Sequence, residues 1–405
     1  MTGPFTAAFG PSLESREWQQ THSPYHFCTY FDRNYLTRGL ALYQSLRTHC
    51  QRPFVLWVLC FDNESYAILR HLALDGMRLI RLTDFEVGDT DLATARGNRS
   101  AVEYYWTCSP SLPLYLFRQE PSIDLITYLD ADLFFFSDPQ PIFDELAQGS
   151  VLIVGHRYAP AHTHYTETSG IYNVGLMSFR RDATGFECLH WWRERCNEWC
   201  YARFEDGKFG DQKYLDDWPT RFPGVVVLQH PGAGLAPWNI ERYRMESDAD
   251  GCIRISGVSL VFFHFHALKV LSSQVVVPTV GGYSLSYTVL VRIFIPYLRA
   301  LRQAAAVSGL AFADPFAARL GPWKLLQGLL FEDVWLIKPA VLSAMLWRLR
   351  ERHLQARRLL LAAEKSIHHG DIAEGGRLLW HTLARSPLFL LSKRFRKIYI
   401  EYRTG

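Results

Sequence analysis

Two carboxylates one residue apart, Asp130 and Asp132, sit inside one of the most apolar stretches of the chain, LITYLDADLFFFSDPQPIF over residues 125–143. Carboxylate oxygens are hard donors, and two that converge on one point suit a divalent cation such as Mg²⁺ or Mn²⁺, an ion commonly shared with substrate phosphates. The same pair can equally cap a helix or close a turn. Further polar candidates lie downstream: Asn173 and Gly175 in SGIYNVGLMSFRR (169–181), Asp211 and Gln212 in KFGDQKYLDDWP (208–219), and His264 and His266 in SLVFFHFHALK (259–269). Cys196 and Cys200, in CNEWC, stand one helical turn apart. That spacing serves a metal only with two more ligands nearby, and two ordinary helix cysteines are the other reading.

Elements must hold these groups. HFCTYF (26–31) and FVLWVLCF (54–61) are short, β-rich apolar runs, and NYLTRGLALYQSLRTH between them repeats Leu36, Leu40, Tyr43 and Leu46 at helical spacing. ESYAILRHLAL then predicts a helix, MRLIRL a strand, AVEYYWTCSPSLPLYLF a mainly helical piece, and IDLITYLDADLFFF a strand ending at the carboxylates. Short apolar strands alternating with helices predict an open α/β sheet covered on both faces, in which ligands gather at the carboxyl ends of strands. On an extended chain residues i and i+2 point the same way, so Asp130 and Asp132 are expected to face one point from the end of LITYL. By the same reasoning His264 and His266 share one strand face.

The chain has 405 residues, 48% of them hydrophobic, enough for one large core or two ordinary ones. It shows no low-complexity tract and no repeat period. Residues 1–24 read as a flexible lead-in without the basic start and apolar stretch of a secretory signal, so the expectation is a cytoplasmic protein with its eight cysteines reduced. The longest uncharged run, between Lys269 and Arg292, is too rich in Ser, Gly and Pro for a membrane span. The net charge of +3 conceals an asymmetry: residues 321–405 carry 15 Lys and Arg against 7 Asp and Glu, the remainder 28 against 33. LWRLRERHLQARRLLLAAEKS (346–366) and PLFLLSKRFRKIYIEY (387–402) make a basic, helical C-terminal region. Such a region serves as a peripheral face toward a membrane or another anionic partner, or as a solvated surface of packed helices. LLAAEKSIHHGDIAEGGRLLWHTLARSP suggests a helical-hairpin repeat within it.

Taken in order, the segments resemble the GT-A glycosyltransferases, most closely the nucleotide-sugar-dependent retaining enzymes of glycosyltransferase family 8, the group of glycogenin and the bacterial lipopolysaccharide galactosyltransferases. CTYFDRNYLTRGLALYQSL is similar to the opening strand and helix that hold the nucleobase, and YLDADLFFFSDPQPIF to the D-x-D segment. YNVGLMSF is similar to the asparagine-glycine strand beneath the donor sugar, and GDQKYLDDWP to the D-Q helix. LAPWNIE is similar to the tryptophan-asparagine turn, and VFFHFHALK to the closing segment with its metal histidine and phosphate lysine. The resemblance covers roughly residues 25–270. It implies a Rossmann-like open mixed sheet flanked by helices, spanning 25–290, with residues 291–405 as a basic helical extension.

The resemblance also implies roles. Asp130 and Asp132 would bind Mn²⁺ or Mg²⁺, Asp130 also reaching the ribose, with a histidine completing the set. The family's spacing to a small residue and a lysine, met here by Ala267 and Lys269, favours His264 over His266 as that ligand. Tyr30, Asp32, Asn34 and Tyr35 match the nucleobase and ribose segment, although Tyr30 and Tyr35 can also be core aromatics and Asn34 a helix cap. Asn173 would touch the donor sugar, Asp211 and Gln212 would flank the anomeric carbon and acceptor, and Lys269 would meet the phosphates. Asp211 can also be a helix cap. The implied reaction moves a sugar from a nucleoside diphosphate, UDP first among them, to a glycan, glycolipid or protein acceptor, as in the assembly of bacterial cell-surface glycans on the cytoplasmic side of the inner membrane. Configuration would be retained, and because Gln212 is a poor nucleophile, front-face attack is the economical route. No nucleic acid is expected as a partner. Two features depart from the family: Trp106 stands in EYYW where an arginine is usual, leaving Arg99 or Arg96 for the phosphate contact, and Val270 follows Lys269 where a proline is usual. Two other classes share parts of the pattern: a non-catalytic binding protein on the same fold, and a haloacid-dehalogenase-type phosphatase, whose aspartate pair normally lies near the N-terminus and is followed by threonine.

Overall fold

The computed structural model describes residues 23–248, 252–280, 282–283, 285–315, 335–336, 340–369, 371–386 and 398–399. They form two units interleaved in sequence: residues 1–266, 283–285 and 292–315 in the first, and 267–282, 286–291 and 316–405 in the second. The sequence places a single boundary near residue 290.

The first unit is built on β1 (Tyr25–Phe31), β2 (Phe54–Cys60), β3 (Met77–Arg81), β4 (Leu125–Leu129), β5 (Leu133–Phe135), β6 (Val151–Gly155), β7 (Tyr172–Arg180) and β8 (Val225–Leu228). Seven of these form one sheet in the order β3-β2-β1-β4-β7-β6-β8. Strands β3, β2, β1 and β4 run parallel, β7 is antiparallel to β4 and β6, and β8 is parallel to β6. β4 and β6 have almost no exposed side chain, as the uniform apolar run of a sheet covered on both faces requires. Thr127 and Ser178, polar residues inside that sheet, satisfy each other with a hydroxyl hydrogen bond of 2.8 Å. This is the expected open mixed sheet flanked by helices.

Helix Leu36–His49 buries Leu36, Leu40, Tyr43 and Leu46 as their spacing predicts, and also Arg38, Ala41 and Leu42. The extra burial has a cause in the chain far downstream: helix Ile295–Ser308 packs on its other side. Arg38 is neutralised there by Asp314 at 2.9 Å. Local caps fix where the other helices start. Asp62 accepts from the Ser65 N–H to open helix Asn63–Leu72, and Ser100 with Glu103 forms a capping box at helix Ala101–Cys108.

The strand in IDLITYLDADLFFF ends at the carboxylates, as expected. β4 stops at Leu129, the Leu133 N–H donates to the Asp130 carbonyl at 3.2 Å to close a turn, and β5 resumes in a different sheet. After a small antiparallel sheet of β9 (Met245–Ser247), β10 (Ile253–Ile255) and β11 (Val258–Ser259), the chain returns as β12 (Phe262–His264), which pairs antiparallel with β5 so that His264 lies opposite Leu133.

The second unit holds β13 (Lys269–Val270), β14 (Val275–Val277) and β15 (Trp335–Leu336), paired antiparallel. Its helices Ala340–His368 and Ile372–Arg385 pack together around Ala356, Leu360, Ala363 and Leu379. They make one helical hairpin in the region where the sequence suggests a hairpin repeat. A Cβ at Gly375 would stand 2.4 Å from Ile367, so the glycine sets how closely the two helices approach. The expectation for residues 1–22, and that for 387–402 apart from Ile398 and Tyr399, lie outside the described residues. No helix among the described residues is long and apolar enough to cross a membrane.

Candidate active site

The turn that ends β4 and the return of β12 bring Asp130, Asp132 and His264 together, one ligand atom of each lying within 4.8 Å of the others. His264 Nε2 is 3.1 Å from Asp132 Oδ1 and 3.6 Å from Asp130 Oδ2. The convergence comes from a turn, not from i and i+2 side chains on one strand face. Backbone hydrogen bonds lock it: Asp130 N–H to Gly175 O at 2.8 Å, His264 N–H to Leu235 O at 2.7 Å, and Phe265 N–H to Asp132 O at 3.0 Å. Asp132 and His264 are 8% and 5% exposed, whereas the Asp130 side chain is 31% exposed, so the cluster has a buried floor and one open side. His266 lies beyond the end of β12 and is exposed. Its ring still lies on the same side as that of His264, 5.9 Å away and against the same Trp238, but only His264 joins the aspartates.

Electrostatics in the cluster are opposed by design of the geometry. Burial raises the Asp130 carboxyl against the pull of the His264 imidazole, and the charge of Asp132 raises it further. Burial acts the same way on Asp132, but the charge and hydrogen bond of His264, with smaller help from His266 and Arg38, hold its carboxyl below the usual range. His264 would be lowered by burial, yet the two carboxylates win and raise it. Two carboxylates and one imidazole nitrogen, with an open side, fit a divalent cation of the Mn²⁺ or Mg²⁺ kind, and the nitrogen donor favours Mn²⁺.

Two glycine and tyrosine contacts shape the cluster. Gly175 lies under His264, and a Cβ there would stand 2.8 Å from His264 Nδ1 and 2.6 Å from Asn173 Oδ1. Asn173 accepts from the Gly175 N–H at 2.9 Å. The Tyr128 hydroxyl donates to Asp130 Oδ1 at 2.7 Å, and the Tyr128 and Tyr30 rings lie 5.4 Å apart. Trp238 is edge-on to His264 with centroids 5.3 Å apart. Its turn is held by Asn239, which accepts from the Ala236 N–H and donates to the His156 and Gly234 carbonyls.

Asp211 is buried just ahead of the short turn Lys213–Asp217, and it is not a helix cap. Its Oδ2 accepts from the Ser109 hydroxyl at 2.8 Å, and Trp192 Nε1 donates to its carbonyl at 2.8 Å. Burial pushes the Asp211 carboxyl up to about 7 despite the Ser109 hydrogen bond, and the negative charge of Asp130 adds to the rise. Gln212 donates from Nε2 to the Ser169 carbonyl at 2.8 Å.

The remaining expected residues are spread along the same edge or away from it. Tyr30 hydrogen-bonds to Ser109 at 2.9 Å. Asp32 accepts from Asn34 and from the Tyr35 N–H, so Asp32, not Asn34, organises the entry to helix Leu36–His49. Tyr35 is exposed beside Arg38. The Arg99 guanidinium is committed to the Thr107 hydroxyl and the Asn197 carbonyl, both at 2.6 Å, and Arg96 pairs with Glu86. Lys269 is exposed on β13 of the second unit. Cys196 and Cys200 are buried, and neither joins a metal-ligand group among the described residues. Sequence reasoning overlooked Ser109, Tyr128 and Arg38. Tyr128 was legible as the residue two before Asp130, while Ser109 and Arg38 carried no local signal.

Fold and site together define an open, mixed α/β protein with a two-carboxylate, one-imidazole cluster at the carboxyl end of a central strand. Two Bacillus subtilis (strain 168) proteins resemble the chain: YfnD, 32% identical over 254 residues, 62% of this chain and 80% of that protein, and YfnF, 31% identical over 252 residues, 61% and 82%. The chain belongs to the family of YfnD and YfnF, both described as uncharacterized. No family model matches it. Solved structures similar to parts of it include the galactosyltransferase LgtC with donor and acceptor sugar analogs (16% identity, TM-score 0.37, covering 52% of this chain and 74% of that one). The glycosyltransferase GlyE of Streptococcus pneumoniae TIGR4 (13%, 0.40, 74% and 67%) and mouse xyloside xylosyltransferase 1 (15%, 0.36, 53% and 87%) are others.

Proposed function

We propose that this protein is a metal-dependent glycosyltransferase of the GT-A type that moves a sugar from a nucleoside-diphosphate donor, a UDP-sugar first, to a glycan, lipid-linked or protein acceptor with retention of configuration. The observation that carries the reading is the convergence of Asp130, Asp132 and His264 at the end of β4, where ligands of open α/β sheets gather. Those three residues would hold the cation. Bound there, Mn²⁺ or Mg²⁺ would supply charge neutralisation for a diphosphate leaving group.

The chain's own groups account for the rest of the proposed site. Asp32, at the carboxyl end of β1, with Asn34 and Tyr35 beyond it, would receive the nucleoside, and Asn173 the donor sugar. Asp211 and Gln212 would lie against the reacting carbon. Gln212 is a neutral amide already donating to Ser169, which makes it a poor nucleophile and favours front-face attack with the acceptor proton passing to the leaving phosphate. Arg99 enters no step, since its guanidinium is tied to Thr107 and Asn197. The C-terminal hairpin exposes Arg377, Trp380, His381 and Arg385 on one helix, a face suited to a peripheral contact with anionic lipid.

Real-time proton NMR of UDP-glucose, UDP-galactose, UDP-N-acetylglucosamine and GDP-mannose with Mn²⁺ tests the reaction and its stereochemistry. Metal-dependent hydrolysis whose first-formed sugar keeps the donor's anomeric configuration is expected. The opposite anomer formed first would overturn retention, and no cleavage of any donor would overturn the transferase reading.

A further inference from the structure

Asp211 is a buried carboxylate with no ion-pair partner among the described residues. A carboxylate so placed is oriented by the hydrogen bonds it accepts. Two hydroxyls supply that orientation here. Ser109, fully buried, hydrogen-bonds to Asp211 Oδ2 at 2.8 Å and to the Tyr30 hydroxyl at 2.9 Å. An ionised carboxylate can only accept, so the single Ser109 proton goes to Asp211 and the Tyr30 O–H donates to Ser109. The chain of donors has one direction: Tyr30 to Ser109 to Asp211.

The three residues come from three segments: Tyr30 from β1, Ser109 from the residue that follows helix Ala101–Cys108, and Asp211 from the loop before the turn Lys213–Asp217. Packing holds each end. The Tyr30 ring lies 5.2 Å from Phe61 and 5.4 Å from Tyr128 between centroids, and Tyr128 in turn donates to Asp130. Two packed phenols therefore reference the positions of both Asp130 and Asp211. On the other side, a Cβ at Gly210 would stand 3.3 Å from the Trp106 ring, and Trp192 Nε1 holds the Asp211 carbonyl. The backbone of Asp211 is fixed by tryptophans and its carboxylate by hydroxyls.

We propose that Ser109 and Tyr30 are positioning residues that hold the Asp211 carboxylate toward the reacting sugar. The proposal rests on the sugar-transfer reading of the site. Ser109 and Tyr30 act only through Asp211, so their effects fall on turnover and vanish once Asp211 is gone.

The test is steady-state donor hydrolysis by the full-length chain with Mn²⁺ and the four nucleotide sugars named above, in a double-mutant cycle. Ser109→Ala lowers kcat about 10-fold or more while leaving the donor KM within about twofold, the pattern of a contact that matters only as the reaction proceeds. Tyr30→Phe, which removes one oxygen and keeps the ring packing, lowers kcat about threefold by the same reasoning. In an Asp211→Ala background neither substitution lowers kcat further, because residues that act through one group couple completely. Multiplicative losses in the double variants, a loss confined to donor KM, or unchanged kcat in both single variants would overturn the positioning role. If Ser109→Ala does not fold, the Tyr30→Phe cycle decides alone. A wild type silent toward all four donors overturns instead the sugar-transfer reading beneath it.

Discussion

His264 and Asp132 hold each other at 3.1 Å behind a more open Asp130, and Gly175 is what leaves the imidazole room. Gly175→Ala puts a methyl where His264 and Asn173 already stand. The variant is expected to weaken Mn²⁺ binding by at least about 10-fold at a stability cost of about 1–3 kcal/mol, the usual range for overpacking. Mn²⁺ titration followed by thermal unfolding reads both, and unchanged affinity would mean the ring is not a ligand. Asp211 gives a prediction in pH. Its folded carboxyl is raised to about 7 from an ordinary 3.8, so between these values the folded chain keeps a proton that the unfolded chain releases. Stability from this group is therefore greatest at low pH, falls as pH rises through that window and levels off above about 7. Asp211→Asn, which cannot ionise, should lose turnover yet gain stability relative to wild type as pH rises from 4 to 8, by up to roughly 4 kcal/mol. A stability difference that does not change with pH would show that Asp211 ionises normally. Asp130, Asp132 and His264 were legible because few polar groups interrupt such apolar runs, and Asp211 because it stands beside Gln212 at the start of the turn in GDQKYLDDWP. Ser109 was not, since its partner lies 102 residues away and a serine beside a proline reads as a turn.

The elements were legible where their reason is local. The spacing of Leu36, Leu40, Tyr43 and Leu46, and the apolar runs of β1, β2, β4 and β6, follow from burial against a sheet. Leu40→Ala, fully buried beneath that helix, is expected to cost about 2–5 kcal/mol in denaturant unfolding. A cost below about 1 kcal/mol would place the helix outside the core. What was not legible depends on distant chain. β5 leaves the sheet to pair with β12, 127 residues further on, and nothing in LITYLDADLFFF announces a partner so far away. The alternation FFHFH puts both histidines against Trp238, while the strand itself ends at His264 and Ala267 turns through φ +60°. Arg38 resembles a solvated helix arginine until helix Ile295–Ser308 and Asp314 cover it. In the second unit, Gly375→Leu would drive a side chain into Ile367 and is expected to destabilise the helical hairpin by about 1–3 kcal/mol. Hydrogen exchange should accelerate in residues 340–385 and stay unchanged in β1 and β4. Equal acceleration in both would contradict two separately stabilised units.

At the scale of the whole molecule, charge and chemistry are separated along the chain: the carboxylate cluster belongs to the first unit, and the basic excess falls in residues 321–405. Membrane contact is expected to depend on that excess. Full-length protein should cosediment with phosphatidylserine-containing vesicles and release at high salt, with Arg377→Glu plus Trp380→Ala weakening the association. Equal binding to neutral vesicles would exclude an electrostatic contact. The composition indicated a basic tail, but which of its residues are exposed required the helical hairpin. YfnD and YfnF match this chain over 254 and 252 residues. The most direct test of the account is thermal unfolding and donor hydrolysis of wild type and Asp132→Asn, with UDP-glucose, UDP-galactose, UDP-N-acetylglucosamine and GDP-mannose, each with Mn²⁺ and with chelator. At least one donor should stabilise and be hydrolysed by wild type only with Mn²⁺, and both effects should disappear in Asp132→Asn. Stabilisation by no donor, or full activity in Asp132→Asn, would contradict a metal-bound nucleotide sugar at the end of β4.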